Sequence, residues 1–178
     1  MSTATQTIET RLFGKEATLG LNGSWTGYWL VFLRLMMGWW FLGAGLHKVM
    51  EEGLFYDTYG YLMFATEGSV LYPVTSWFAE NAVWLPDLLV PWGQIAIGLG
   101  LILGIMTRLA AANGAFLMSF FYLGGQGWEN GFMTGELAGI LLFVTIIVFG
   151  AGRIWGGDAI LEATEFVRNR PKLRYILG

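Results

Sequence analysis

Residues Tyr28–Leu46 read YWLVFLRLMMGWWFLGAGL, an apolar run with a single charge, Arg34, inside it. As a helix rising about 1.5 Å per residue, the run is about 28 Å long, enough to cross the hydrocarbon core of a bilayer. It is too long for the apolar core of a signal peptide, and no small-residue cleavage site follows it. Residues 1–27 ahead of it are polar and rich in Thr and Gly. The run is therefore expected to remain in the membrane.

Working outward, three further runs have the same character: Leu88–Met106, Leu109–Leu123 and Thr134–Gly152. Pro91 is expected in the first turn of the second, where a missing N–H costs least. Thr107-Arg108 makes a tight joint between the second and third, and GGQGWENGFM a turn-rich loop between the third and fourth. Only 13% of the 178 residues are charged and 55% are hydrophobic, where a soluble domain carries about a quarter charged residues. The expected fold is an all-α integral membrane protein, a four-transmembrane-helix up-down bundle. It divides into an N-terminal extension (1–27), a membrane domain (28–156) and a basic amphipathic tail (157–178) read as a helix on the inner leaflet. Residues 49–87 form a long outer loop, too polar to span and too aromatic to be an ordinary solvated loop. Interfacial helices are expected there, with Trp77, Trp84 and Leu88 at helical spacing.

Orientation follows from the basic residues. Arg11, Lys15, Arg108, Arg153, Arg168, Arg170, Lys172 and Arg174 fall on one side of the four spans, and Lys48 alone on the other. Basic loops stay inside, so both termini are expected in the cytoplasm and the protein in the plasma membrane. The outer segments hold Glu51, Glu52, Asp57, Glu67, Glu80, Asp87 and Glu129. This acidic face, with Arg in excess of Lys, suits a cell living in high salt and gives the chain an archaeal-like acidic character.

Composition removes several kinds of chemistry. Without cysteine, the chain has no disulfide, iron–sulfur cluster or Cys-ligated zinc. With one histidine, His47, it cannot hold a bis-histidine haem by itself. No metal site, phosphate-binding loop or Ser–His–Asp set is legible, and no nucleic-acid partner is expected.

The candidate site residues are polar groups at membrane depth. Arg34, Gly38, Phe41, Gly45 and Lys48 fall within an arc of about 80° at 100° per residue. Arg34 lies about 9 Å inside the span. One reading of this face is a polar slot for a carbonyl-bearing or anionic ligand such as a quinone head. The other is a snorkelling arginine, with glycines for close helix packing. Lys48 and Glu136 sit at the same outer level, so an ion pair between them is expected, with Gln94 at similar depth joining by a hydrogen bond. His47 points away from the slot and is expected to bond loop backbone. Asn113 is expected to bond across helices, and Ala96–Gly100–Gly104 and Ala111–Ala115–Ser119 to be packing stripes.

Three stretches carry a resemblance: Arg34-x3-Gly38-x6-Gly45-x2-Lys48, GLGLILGIMTRLAA from Gly98 to Ala111, and GAGRIWGGDA from Gly150 to Ala159. In order, over about residues 28–160, they resemble the DoxX/DoxD family of small membrane proteins. The resemblance implies a four-helix bundle with both ends inside and an association with quinone-linked respiratory chemistry, as in the membrane subunit of a thiosulfate:quinone oxidoreductase. It places Arg34, Lys48, Arg108, Arg153 and Asp158 at signature positions. Two functions remain open: a subunit offering a non-covalently bound quinone a pocket, not active alone, or a non-catalytic assembly subunit. A carrier is disfavoured by the absence of a repeat or broken helices. Either way the partners are the bilayer and further subunits, in a homo-oligomer or a larger complex.

Overall fold

A computed structural model of the chain describes residues 5–12, 15–125, 132–170, 173 and 175–177. The extension ahead of the first span is a ribbon: β1 (Thr5–Leu12) pairs antiparallel with β2 (Lys15–Asn22), Thr5 opposite Asn22 and Leu12 opposite Lys15. Thr5, Thr7, Ile8 and Thr10 fall in β1 (TQTIETRL), and such β-branched residues favour the extended chain. The rest of the described chain is helices, turns and loops.

The first span grows into α1 (Gly23–Glu52), 30 residues long, which at 1.5 Å per residue is about 45 Å. After a loop and a π-helical turn (Tyr61–Ala65) come α2 (Tyr72–Asn81) and α3 (Trp84–Leu103). Short helices do occupy the long loop, but Trp77 belongs to α2 while Trp84 and Leu88 open α3. Because α3 begins at Trp84, Pro86 takes its first turn and Pro91 lies inside the helix. Gly104 ends α3 in the left-handed conformation at φ 66°, which glycine adopts freely. α4 (Thr107–Gly124) follows, and then α5 (Gly135–Phe149), whose N-cap Thr134 accepts from the Leu137 N–H at 3.4 Å. Gly150 stops α5 at φ 59°, so the fourth run is helical for 15 residues and then tightens into a 3-10 turn (Ala151–Arg153). The expected tail helix is two pieces, α6 (Gly157–Ala163) and α7 (Glu165–Arg168), broken by an extended Thr164. Nor does the tail lie apart from the bundle. Val167 and Leu177 are buried, and the Leu109 N–H donates to the Ile176 carbonyl at 3.2 Å. Trp128, Glu129, Lys172 and Arg174 lie outside the described residues.

α1 packs most extensively on α3, and α4 on α5, while the α3–α4 seam is much lighter. The core at the centre includes Met37, Phe41, Leu101, Ala111, Phe143 and Ile146, with Phe41 and Phe143 edge-to-face at 4.9 Å. The α1–α3 seam is a glycine seam. A Cβ on Gly98 would stand 2.5 Å from the Leu42 backbone nitrogen, so the two backbones touch where a side chain would otherwise be. The outside is apolar: Trp25, Trp29, Trp39, Phe116, Val148 and Trp155 are among many large hydrophobic side chains left exposed. In water such a surface would drive aggregation, whereas in lipid it is the solvated face. Two helices, over Trp25–Glu52 and Trp84–Leu103, are long and apolar enough to cross a membrane.

Candidate functional site

The charged residues of the interior separate into two groups at opposite ends of the bundle. At the tail end lies Arg34, 2% exposed. Its Nη1 donates to the carbonyls of Ala151 at 2.8 Å and Ile154 at 3.1 Å, and its Nη2 to that of Trp155 at 3.1 Å. Asp158, fully buried, accepts from the backbone N–H groups of Met106 at 2.7 Å and Thr107 at 2.9 Å. These are the first N–H groups of α4, which no preceding side chain caps, and a carboxylate there also suits the helix dipole. The Asp158 charge acts on Arg34 in turn.

The described residues include two non-glycine positions with positive φ, Met106 (50°) and Trp155 (51°). Each costs about 1–2 kcal/mol for an L residue. Asp158 holds the N–H of the first and Arg34 the carbonyl of the second. The two charges thus tie α1, the α3–α4 joint and the turn after α5 into one knot. Arg34 faces backbone carbonyls rather than a ligand slot. Gly38 and Gly45 do share its face, but α3 fills that face: their Cβ positions meet the backbone of Gly98 and Ile102, and of Pro91 and Ile95. Lys48, unlike Arg34, lines a cavity between α3 and α4. Arg108 donates to the Ile147 carbonyl at 3.2 Å, and Arg153 pairs with Glu162 at 2.8 Å.

From the loop end this cavity, of about 970 Å³, runs between α3 and α4 as far as their joint at Ile105 and Met106. Its length is apolar, walled by residues such as Ala96, Gly100, Leu103, Ala110 and Phe116. Ala96 and Gly100, expected as packing positions, border this space, and Gly100 does pack closely: a Cβ on it would stand 3.0 Å from that of Ala110. Polar groups gather at one end: Lys48, Tyr56, Thr58 and Tyr61. Lys48 makes a long bond of 3.4 Å to the Ala44 carbonyl and lies 5.3 Å over the Tyr56 ring, a cation–π contact. It does not pair with Glu136. Glu136 acts instead on Tyr61, whose phenol is pushed up to about 12, chiefly by burial and then by that negative charge. Burial and the charges of Glu52, Asp57 and Glu51 likewise raise Tyr56. Both phenols therefore keep their protons and remain donors at neutral pH.

The remaining candidates lie elsewhere. Gln94 is buried with Oε1 unpartnered, but it does not line the cavity. His47 is exposed and meets Glu51 one turn on at 3.2 Å, rather than loop backbone. Asn113 lines the cavity and donates to the Leu109 carbonyl of its own helix at 2.8 Å, not across helices. Tyr56, Thr58 and Tyr61 escaped the sequence reading. The signal available for them was aromatic and hydroxyl residues set among acidic ones, directly after a span ending in lysine.

The profile of the DoxX family matches residues 29–126. The chain belongs to the DoxX family. It is a membrane protein of the DoxX type, and the matched segment runs from α1 through α4, containing both walls of the cavity and Lys48. The stretch from Gly150 to Ala159, read from sequence as part of the same resemblance, lies beyond the match, so Arg153 and Asp158 fall outside it. No curated protein and no solved structure is recognisably similar to the chain.

Proposed function

We propose that this DoxX protein is a four-span subunit of the plasma membrane, with both termini cytoplasmic, that lends a quinone-binding groove to an oxidoreductase complex. One observation carries the reading: a groove of about 970 Å³, apolar along its length but for Asn113, with hydrogen-bond donors gathered at one end. A quinone has that form, with a head of carbonyl acceptors on an apolar tail, and the volume is within the range of small-molecule sites. Lys48 Nζ and the phenols of Tyr56 and Tyr61 would donate to the head while the α3–α4 walls take the tail. Electrons would come from a partner subunit or a small reductant.

The four-span arrangement has α4 and α5 crossing beside α1 and α3. The 15 residues of α5 cover only about 22 Å, so the 3-10 turn after it and local thinning of the bilayer would complete the crossing. The basic tail and middle joint then face the cytoplasm, as the distribution of Lys and Arg favours.

The test is titration of the purified chain in lipid nanodiscs with a short-chain benzoquinone, followed by tryptophan quenching. Saturable binding is expected, weakened about tenfold by Lys48→Met through loss of a charge-assisted bond. Binding absent from the parent chain, or indifferent to this substitution, would sink the reading. A second reading, the assembly subunit, is favoured by Arg34 and Asp158 both being bonded to backbone. Under it, substitution at Lys48 leaves turnover per complex untouched and only the yield of complex varies.

A further inference from the structure

The end of the groove that carries the donors is held in place by one residue that does not line it, Asp87. Asp87 stands in the first turn of α3. Four residues on, Pro91 has no N–H to give, so the Asp87 carbonyl loses its helical partner. That carbonyl instead accepts from the Tyr56 N–H at 3.1 Å. The Asp87 carboxylate accepts twice more, through one oxygen, from the Thr58 N–H at 2.9 Å and from Thr58 Oγ1 at 2.6 Å. Trp92 adds a fourth tie, Nε1 to the Leu54 carbonyl at 3.2 Å. The segment 54–58 is thus fastened to α3 by groups that α3 itself leaves over. Tyr56 and Thr58 wall the groove, and Tyr56 sits under Lys48.

We propose that Asp87 is the positioning residue of the groove's mouth: it latches the segment after α1 onto α3 and so sets Tyr56, Thr58 and, through the Tyr56 ring, Lys48. The proposal rests on the groove being the ligand site. Thr58 is 4% exposed. Without the carboxylate its N–H and hydroxyl are buried without partners, which favours a conformation in which the segment lifts toward water.

The absence of cysteine allows a direct test. Gly93 lines the groove, and a Cβ there meets nothing within 4 Å, so Gly93→Cys reports access to the groove. The rate of its labelling by a hydrophilic maleimide is measured in nanodiscs. Asp87→Ala is expected to raise that rate about tenfold, and Thr58→Val, which removes one bond, about threefold. Asp87→Asn keeps an acceptor oxygen in the same place and should stay near the parent rate. A thiol in the α4–α5 core, Met118→Cys, serves as control and should be no more reactive with Asp87→Ala than without it. Unchanged Gly93→Cys labelling in both Asp87→Ala and Thr58→Val would overturn the latch. So would equal acceleration by Asp87→Asn, or a matching rise at Met118→Cys, which would mean general loosening. Addition of the short-chain benzoquinone separates the two claims. The quinone is one with every ring position substituted, so that it does not alkylate the thiol. If it fails to slow labelling of Gly93→Cys alone, the quinone reading falls while the latch stands or falls on the variants.

Discussion

Arg34 and Lys48 occupy the same face of the same helix, about four turns apart, yet the two ends of the bundle treat their cations differently. Arg34 is enclosed and meets three backbone carbonyls, with the Asp158 charge nearby. Lys48 is half-buried at the head of an open groove, with one long bond and an aromatic face. The guanidinium is planar and has five donors, which suits it to gather several carbonyls; an ammonium is a compact charge on a flexible stem. A buried cation whose two terminal nitrogens are taken up by main chain acts as a fastening, although the Arg34 Nε is left without a partner. A cation at the mouth of a cavity with little to hold it is available to a ligand. The difference is visible only once partners are known, because the sequence pattern of the face is continuous from one end to the other.

The comparison breaks most sharply at Arg34. Arg34→Met should remove all three bonds, leave the carbonyls of Ala151, Ile154 and Trp155 without that partner, and strand the Asp158 charge. Breaking one side of a buried charged network costs about 3–5 kcal/mol. The expected result is a large drop in thermal midpoint in detergent and poor recovery of monodisperse protein. Arg34→Lys should rescue little, since a single ammonium cannot span the three carbonyls. If Arg34→Met is stable but loses quinone binding, the roles given to the two ends are reversed.

Asp158→Asn is the next largest. The amide has one acceptor oxygen for two N–H groups, at Met106 and Thr107, and no charge for the α4 dipole or for Arg34. A loss of about 1–3 kcal/mol is expected. Met106 should lose its left-handed conformation, detectable as faster amide exchange at residues 106–108.

How much of this was legible beforehand depended on whether the determining group was a side chain or an absence. The apolar helices were legible because lipid selects uniform apolarity, but Gly104 and Gly150, whose left-handed caps end α3 and α5, lie inside the runs Leu88–Met106 and Thr134–Gly152 as read. The start of α3 was less so: Pro86 and Pro91 both suit a first turn, and only the break at Ala82–Val83 decides between them. The tail's periodicity runs through Thr164 without a signal, so its division into α6 and α7 was hidden. Gly38 and Gly45 were rightly suspected of close packing. Gly93 looks no different in sequence, yet a Cβ on it meets nothing within 4 Å, because a missing side chain reads alike whether a neighbour fills the gap or not. The partners of Arg34 are carbonyls, and no residue type announces them.

Lys48→Met should mark the other pole of the comparison. With one weak bond and a partly solvated charge at stake, the stability change should stay below about 1 kcal/mol, set against the tenfold loss in quinone affinity expected above. A thermal midpoint lowered as far as by Asp158→Asn would make Lys48 a second fastening and would weaken the distinction.

The smallest effect concerns Tyr61. Its phenol holds its proton up to about 12 in the fold, against 10.0 ordinarily, because burial and the Glu136 charge both oppose the phenolate. Below pH 10 the folded and unfolded chains are equally protonated at this group, so it contributes no slope. Between 10 and 12 the unfolded chain releases the proton while the folded chain keeps it, and rising pH then favours unfolding. The thermal midpoint should therefore fall as pH rises above about 10, and less steeply in Tyr61→Phe than in the parent. Other tyrosines and lysines titrate in the same range, but they do so in both chains, so the difference between the two curves belongs to Tyr61. Glu136→Gln should remove only the smaller part of that difference, since burial is the leading cause. If it removed nearly all of it, Tyr61 would be governed by its charged neighbour rather than by the groove. The loop end would then resemble the tail end, a bonded charge cluster, more than an apolar site with donors at its mouth.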